Sequence, residues 1–287
     1  MPIRTMQAPT TADLNTVLMT LDGKVIAAGA RCTIVMSADG GFHWQAAELS
    51  DGDSYIDFLR LCQLGSGAIL ALSVSAIHKS TDGHSFYKLG GAPSPACDAT
   101  VSADARTLFV TKCDYNSKSD QSSSAISSSE DGLNWTPVHF KDDFAMFGPI
   151  AALASGVILV GNHGECERFD GRAWQSLPYS TISGISALCV AGERVLAARE
   201  GRPASLCASS DGGLTWSEIW KSPYPISYIA AEGNQLCTVG GGAVSLSRDG
   251  GITWQSHEAV GPVRAATIVG DAAIVVGNQG LILRVPF

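Results

Sequence analysis

The sequence is short of charge, short of basic residues in particular, and without a long apolar run. Charged residues make up 16% of the 287, against ~25% in an average soluble protein. With 19 Lys and Arg against 27 Asp and Glu, the formal net charge is −8. Phosphate recognition needs a basic stripe, so no nucleic-acid partner is expected. Attraction to anionic lipid is missing for the same reason, and no run approaches the ~18 apolar residues of a membrane helix. The opening Met1-Pro2-Ile3-Arg4-Thr5-Met6-Gln7 has no apolar core of a signal peptide, so a cytoplasmic setting, or a particle assembled in one, is expected. There is no Gly-x-Ser-x-Gly elbow, no His-Glu-x-x-His and no phosphate loop. The eight cysteines include no Cys-x-x-Cys and no histidine at ligand spacing, which speaks against zinc. Most lie in apolar runs and read as reduced, small buried hydrophobes. No cofactor and no metal site is expected. Asp51-Gly-Asp53-Ser-Tyr-Ile-Asp57 has the look of a calcium loop but lacks the closing glutamate, so it reads as a solvated acidic loop.

What is present is a repeat. Hydrophobic residues at 45%, with 31 glycines, exclude intrinsic disorder and support a large core. One pattern returns along the chain: Ser37-Ala-Asp39-Gly40-Gly41-Phe-His-Trp44, Ser209-Ser-Asp211-Gly212-Gly213-Leu-Thr-Trp216 and Ser247-Arg-Asp249-Gly250-Gly251-Ile-Thr-Trp254. Shorter copies read Ser129-Glu-Asp131-Gly132-Leu-Asn-Trp135 and Phe169-Asp170-Gly171-Arg-Ala-Trp174, and the weakest is Ser80-Thr-Asp82-Gly83-His-Ser-Phe86, with Phe86 in the Trp slot. The aspartates are 43, 49, 39, 41 and 38 residues apart. That period matches a four-stranded propeller blade, roughly 40–45 residues. Asp-Gly between apolar runs is a hairpin signal, because glycine accepts positive φ. The carboxylate can take up N–H groups further along the turn, and the tryptophan can bury its face against the sheet. These aspartates therefore read as fold staples, not as catalytic acids.

Short apolar runs surround each copy, with turns every 8–12 residues. Blade one is predicted as 15–21, 24–29, 32–37 and 42–48; blade five as 184–190, 193–198, 203–209 and 215–220; blade six as 226–231, 234–240, 243–247 and 252–257. After the last copy, 263–269, 272–277 and 281–285 give a seventh blade with three strands. The segment Ile3–Gln7 is available as its fourth, which would pair the exposed edges and close the ring. The fold class is thus all-β: a single seven-bladed β-propeller domain over residues 1–287, its last blade closed by the N-terminal strand.

Two stretches carry a family resemblance: Gly240-Gly241-Gly242-Ala-Val-Ser-Leu-Ser-Arg-Asp249-Gly-Gly-Ile-Thr-Trp254 and Gly277-Asn-Gln-Gly280-Leu-Ile-Leu-Arg284. The chain resembles the Asp-box, or BNR-repeat, propellers, and its spacing resembles the seven-bladed photosystem II assembly factor type. The resemblance covers nearly the whole chain. It implies a fold and leaves function open, since such propellers include sialidases, other glycosidases, sorting receptors, assembly factors and proteins of bacterial viruses. A sialidase would bring three arginines onto a carboxylate, with a Tyr–Glu nucleophile pair and an Asp acid. Its Arg-Ile-Pro-like opening is matched only by Arg4-Thr5-Met6, and no spacing marks three of the twelve arginines. No catalysis is expected.

In a propeller, the loops between second and third strands share a face with the blade-to-blade links, opposite the Asp-Gly turns. Partner contacts are sought there. Residues 112–124, including Tyr115, Lys118 and Asp120, read either as a floppy hairpin tip or as a loop that a partner orders. Phe144, Met146 and Phe147 in a link read either as an exposed apolar patch or as side chains tucked between blades. Tyr224 lies between prolines and suits a rigid edge or a packing role. Arg31, Arg199 and Arg202, with Glu200, fall in second-to-third-strand loops, as a charged rim of the axial mouth or as plain solvated surface. The expected function is a non-enzymatic structural or interaction module in a larger assembly whose partners are other proteins. A compact propeller with no appended domain suits a bacteriophage tail or decoration protein. The alternatives are a bacterial assembly factor holding a client and a glycan-binding or sialidase-like propeller.

Overall fold

The computed structural model describes residues 3–50, 56–116, 121–142, 146–162, 166–178 and 181–287, without the side chains of residues 115, 116, 121 and 162. Seven antiparallel sheets follow one another along the chain. Blade 1 comprises Leu14–Met19, Val25–Gly29, Ile34–Ser37 and Gln45–Ala46; blade 2, Phe58–Gln63, Ile69–Ser73, Ala76–Ser80 and Ser85–Gly91; blade 3, Ala96–Val101, Leu108–Asn116, Gln121–Ser129 and Thr136–Asp142. Blade 4 comprises Phe147–Ala152, Ile158–Asn162, Cys166–Phe169 and Trp174–Leu177; blade 5, Ile185–Ala191, Arg194–Arg199, Ala204–Ser209 and Ser217–Ser222; blade 6, Tyr228–Glu232, Gln235–Gly240, Ala243–Ser247 and Gln255–Glu258. Blade 7 takes Val263–Val269, Ala272–Gly277 and Ile282–Pro286 from the C-terminus and Arg4–Met6 from the N-terminus. Arg4 pairs with Arg284 and Met6 with Ile282. The first strand of each blade touches the first strands of both neighbours, so these strands line a central axis and the ring is closed.

Both faces of the middle strands are buried, which is why they read as unbroken apolar runs. Val25 and Ala27 face blade 7, while Ile26 and Ala28, pointing the other way, face blade 2. Seven apolar clusters result, one at each joint between neighbouring blades. The joint between blades 3 and 4 is built against a serine-rich strand, Gln121–Ser129, and is closed by Ile126, Phe147 and Ile150.

The repeated Ser-x-Asp-Gly pattern joins the third and fourth strands. Asp249 Oδ1 accepts the N–H groups of Ile252 at 3.0 Å and Thr253 at 2.9 Å, and its Oδ2 accepts the Thr253 hydroxyl at 2.6 Å. The hydroxyl of Ser247 donates to Asp249 at 2.8 Å and accepts the Gly251 N–H at 2.9 Å. The serine and backbone N–H contacts recur around Asp39, Asp82, Asp131 and Asp211, while the Oδ2 partner varies, being the Thr215 hydroxyl at Asp211, the Asn134 amide at Asp131 and the His43 ring nitrogen at Asp39. Among the described residues, Asp170 accepts the N–H groups of Arg172 and Ala173 and no serine hydroxyl, because Arg168 fills the serine slot. That guanidinium instead donates from Nε to the Gly212 carbonyl of blade 5 at 2.8 Å. Gly213 has φ +89°, and a Cβ there would lie 2.7 Å from Leu159 of blade 4, so this second glycine brings two blades together.

The tryptophans do more than cover their own sheets. Trp44, Trp135, Trp174, Trp216 and Trp254 each pack into the joint with the preceding blade, as the buried Phe86 does in blade 2. Trp254 stacks on Trp220 of blade 5, with ring centroids 4.2 Å apart. In the long copies the indole donates to the glycine three residues back, as Trp216 does to Gly213 at 2.9 Å. The shorter copy lacks that second glycine, and the buried Trp135 Nε1 has no acceptor among the described residues.

The fourth strands begin later than the sequence suggests. Expected at 42, 215 and 252, they start at Gln45, Ser217 and Gln255. The carboxylate of each turn consumes the intervening N–H groups, so these cannot enter the ladder. The expected strand 42–48 also splits. Gln45–Ala46 stays in blade 1, whereas Glu48–Leu49 crosses to pair in parallel with Ser85 and Phe86 of blade 2.

Candidate functional site in the axial channel

Six of the seven first strands open with an apolar residue followed by a bulge, seen between Leu14 and Thr16, Phe58 and Arg60, Ala96 and Asp98, Phe147 and Ile150, Ile185 and Ala187, and Val263 and Ala265. Bulges re-aim side chains. The position after the bulge in blades 2 and 3 carries charge, and the two charges meet. Arg60 Nε lies 2.8 Å from Asp98 Oδ1, and its second nitrogen donates to Oδ2 at 3.1 Å. Arg60 also donates to the Ala99 carbonyl at 3.2 Å, and Asp98 Oδ2 accepts the Ile150 N–H at 3.2 Å. Across the channel, the Tyr228 ring of blade 6 lies under the guanidinium, 5.3 Å from its centroid. Burial pushes the Asp98 carboxyl up, with Arg60 and two N–H groups acting against it, and burial also raises the Tyr228 hydroxyl.

This layer divides the channel. Towards the linker face, Arg60 and Asp98 line a depression of about 230 Å³ with Cys97, Pro149, Ser186 and Tyr228. Towards the face of the Asp-Gly turns, the channel widens to about 650 Å³. The ends of the first strands line that wider mouth, with Leu18, Val101, Ala231 and Ile268 among its apolar side chains. Leu21, 77% exposed, stands on its rim. The roomier opening thus lies on the turn face and not on the linker face.

The residues singled out in the linker-face loops are spread around the ring. Arg31 is exposed, with φ +56°, donates its N–H to Asp57 at 2.9 Å and lines a separate depression with residues 8–12. Arg199 is half-buried and reaches the Ser183 carbonyl at 3.5 Å, while Arg202 is exposed. Neither lines the channel, whose arginine is Arg60. Tyr224 is half-buried in a turn closed by Ser222, whose hydroxyl donates to the Tyr224 carbonyl at 2.7 Å. Met146 is 44% exposed, but Phe147 is only 1% exposed. Of the two readings, Phe147 takes the one tucked between blades: it opens the first strand of blade 4, and that position points into the joint with blade 3. Phe144, Lys118 and Asp120 lie outside the described residues, as does the side chain of Tyr115, whose backbone pairs with Ser122.

The cysteines, most of which read as small buried hydrophobes, vary in exposure. Cys62, Cys166, Cys207 and Cys237 are buried, Cys32, Cys113 and Cys189 are half-buried, and Cys97 is exposed; all eight are free thiols. No cluster of three or more potential metal ligands occurs among the described residues. Aligning the first strands by repeat would have shown Arg60 and Asp98 as lone charges at equivalent places in neighbouring apolar strands. It would not have shown that Tyr228 reaches them across the axis.

No protein-family model and no curated protein matches this sequence. Solved structures do match. The chain is similar to YCF48 bound to D1 peptide, at 18% identity and a TM-score of 0.74 over 100% of this chain and 96% of that one. It is similar to YCF48 from Cyanidioschyzon merolae, at 15% identity and a TM-score of 0.70, covering 100% and 99%. It is similar also to virginiamycin B lyase from Staphylococcus aureus, at 10% identity and a TM-score of 0.74, covering 100% and 99%. At these identities the likeness establishes the propeller. One neighbour binds a peptide and another is a lyase, so the shared fold carries no single activity.

Proposed function

We propose that this chain is a non-enzymatic, protein-binding propeller that holds a segment of a partner in the axial mouth on its turn face. The observation that carries this reading is the mouth itself. It is a depression of about 650 Å³ with apolar walls, floored by an arginine whose charge Asp98 already matches. A neutralised floor under apolar walls suits apolar side chains of a peptide better than a free anion. The solved YCF48 complex with D1 peptide lends support, as a propeller of this shape with a peptide ligand. The setting we favour is a larger assembly formed in a cytoplasm, with a bacteriophage tail or decoration complex as its specific form.

The test is hydrogen exchange on the chain in the complex isolated from its source. Protection of 17–21, 230–232 and 266–268 is expected, and Ala231→Trp, which fills the mouth, should abolish assembly. Protection confined to the linker-face loops would overturn the site. A chain absent from purified particles would remove the virion form. Turnover of a streptogramin B or of a sialoside by the purified chain would replace the reading with an enzymatic one.

A further inference from the structure

We propose that the partner segment held in the turn-face mouth is cationic and amphipathic, an apolar stretch flanked by Lys or Arg whose charges lie over blades 5 and 6. This rests on the mouth being the partner site, and it adds the chemistry of the occupant.

The hairpins that join the first and second strands of each blade stand on the turn face around the axis. Five of them carry an exposed carboxylate: Asp22 in blade 1, Asp104 in blade 3, Glu193 in blade 5, Glu232 in blade 6 and Asp271 in blade 7. Glu232 also lines the mouth itself. Cations of the same face are turned away from the axis. Lys24 donates to the Asp82 carbonyl at 2.9 Å, Arg168 to the Gly212 carbonyl at 2.8 Å and Arg194 to the Gly250 carbonyl at 3.3 Å. Each reaches from its own blade to the Asp-Gly turn of the next, at the outside of the ring. Arg284 does the same across the closure of the ring, lying 4.6 Å from the centroid of the Phe42 ring in blade 1. The cations thus serve the joints between blades, and the rim of the mouth keeps the carboxylates.

The imbalance is concentrated on one side. Asp22 has Lys24 at 2.8 Å, Asp104 has Arg106 at 4.0 Å and Asp271 has Arg284 at 3.0 Å. Glu193 and Glu232 form no ion pair among the described residues, and they stand on neighbouring blades. Deeper in the mouth the chemistry changes. Its walls include Leu18, Val101, Ala231 and Ile268, and the Arg60 guanidinium at its floor is already matched by Asp98. A ligand cation at that depth would meet Arg60 with no carboxylate to spare, and a ligand anion would have to pass the rim carboxylates. The depth therefore accepts apolar side chains and the rim accepts ammonium or guanidinium groups. A lysine or arginine suits the boundary, with its methylenes along the apolar wall and its charge in water beside Glu193 or Glu232. The net charge of −8 draws such a segment in from a distance.

The experiment uses the full chain and fluorescein-labelled heptapeptides, read by fluorescence anisotropy. The probes are Lys-Lys-Leu-Phe-Leu-Lys-Lys, the same peptide with Glu for every Lys, and the same peptide with Ser for every apolar residue. We expect the lysine–apolar peptide to bind at least about tenfold more tightly than either of the others, and its affinity to fall as NaCl rises from about 0.05 to 0.5 M. Glu193→Gln with Glu232→Gln should weaken it roughly five- to tenfold. Glu200→Gln with Glu258→Gln removes the same charge from exposed sites on the linker face and should change it by less than about twofold. Ala231→Trp should abolish binding. If the lysine and glutamate peptides bind equally, or the two double variants act equally, the charge inference falls, while the mouth stands as the site provided that Ala231→Trp still abolishes binding. Lysine-peptide binding that survives Ala231→Trp removes both the site and the inference. No binding of the lysine peptide overturns the inference alone, since protection of the mouth in the native complex is measured without it.

Discussion

The guanidinium of Arg60 and the carboxylate of Asp98 meet at 2.8 Å across the joint between blades 2 and 3, facing the axis of the ring. Neither charge has another opposite charge among its described contacts, so each depends on the other. A half-buried pair of this kind is still costly to break and cheap to replace. Arg60→Met should destabilise the chain by about 1–3 kcal/mol, because it strands Asp98 at a site that water in the channel partly reaches. The double change Arg60→Met with Asp98→Leu should recover most of that loss. Urea unfolding of Arg60→Met, Asp98→Leu and the double variant checks both statements, and a double-variant loss equal to the sum of the two single losses would show that the pair is not coupled.

Phe147 and Met146 separate a core role from a surface role at adjacent positions. Phe147 is 1% exposed and Met146 is 44% exposed. Phe147→Ala should cost about 3–5 kcal/mol through the cavity it leaves between blades 3 and 4. Met146→Ala should change stability by less than about 0.5 kcal/mol. Thermal unfolding monitored by circular dichroism distinguishes them.

The turn serines are small but buried. Ser209 is 3% exposed, donates to Asp211 at 2.7 Å and accepts the Gly213 N–H at 2.8 Å. Ser209→Ala leaves that N–H without a partner and should cost about 1–2 kcal/mol. Ser209→Thr should cost less, if its hydroxyl keeps both contacts. Equilibrium unfolding of the two variants gives the comparison.

Acid should weaken the ring through the turn aspartates. The N–H groups of Ser85 and His84 hold Asp82 at about 2, and the Thr253 hydroxyl and N–H hold Asp249 at about 2. Burial raises Asp211, but the Thr215 hydroxyl and N–H outweigh it and leave it at about 2. A carboxyl held below its unfolded value contributes stability that is fully present above that value and lost as pH falls through the folded one. Stability should therefore decline between pH 4 and pH 2. Thr253→Val, which removes one donor to Asp249, should move the decline to higher pH, as measured by unfolding midpoints across that range.

Closure depends on three residues. Arg4–Met6 supplies the edge strand of blade 7. Removing residues 1–7 would expose the backbone of Ile282–Pro286 as a free edge. The truncated chain should unfold at a lower temperature and self-associate, which light scattering during a thermal scan would report.

The elements and their number follow from signals local to the chain. An Asp-Gly turn, its serine and its tryptophan act over eight residues or fewer, and apolar runs at a 38–49-residue spacing mark the blades. Those signals are local, so the seven blades and the N-terminal closing strand could be read from them. Tertiary structure alone decided what crosses a joint or the axis. Nothing in Phe58-Leu-Arg60 or Ala96-Cys97-Asp98 says that the two charges meet, that Tyr228 of blade 6 covers them, or that Phe147 turns inward while Met146 does not. Each of these relations depends on how blades pack against each other, and packing follows from which faces the closed ring sets side by side.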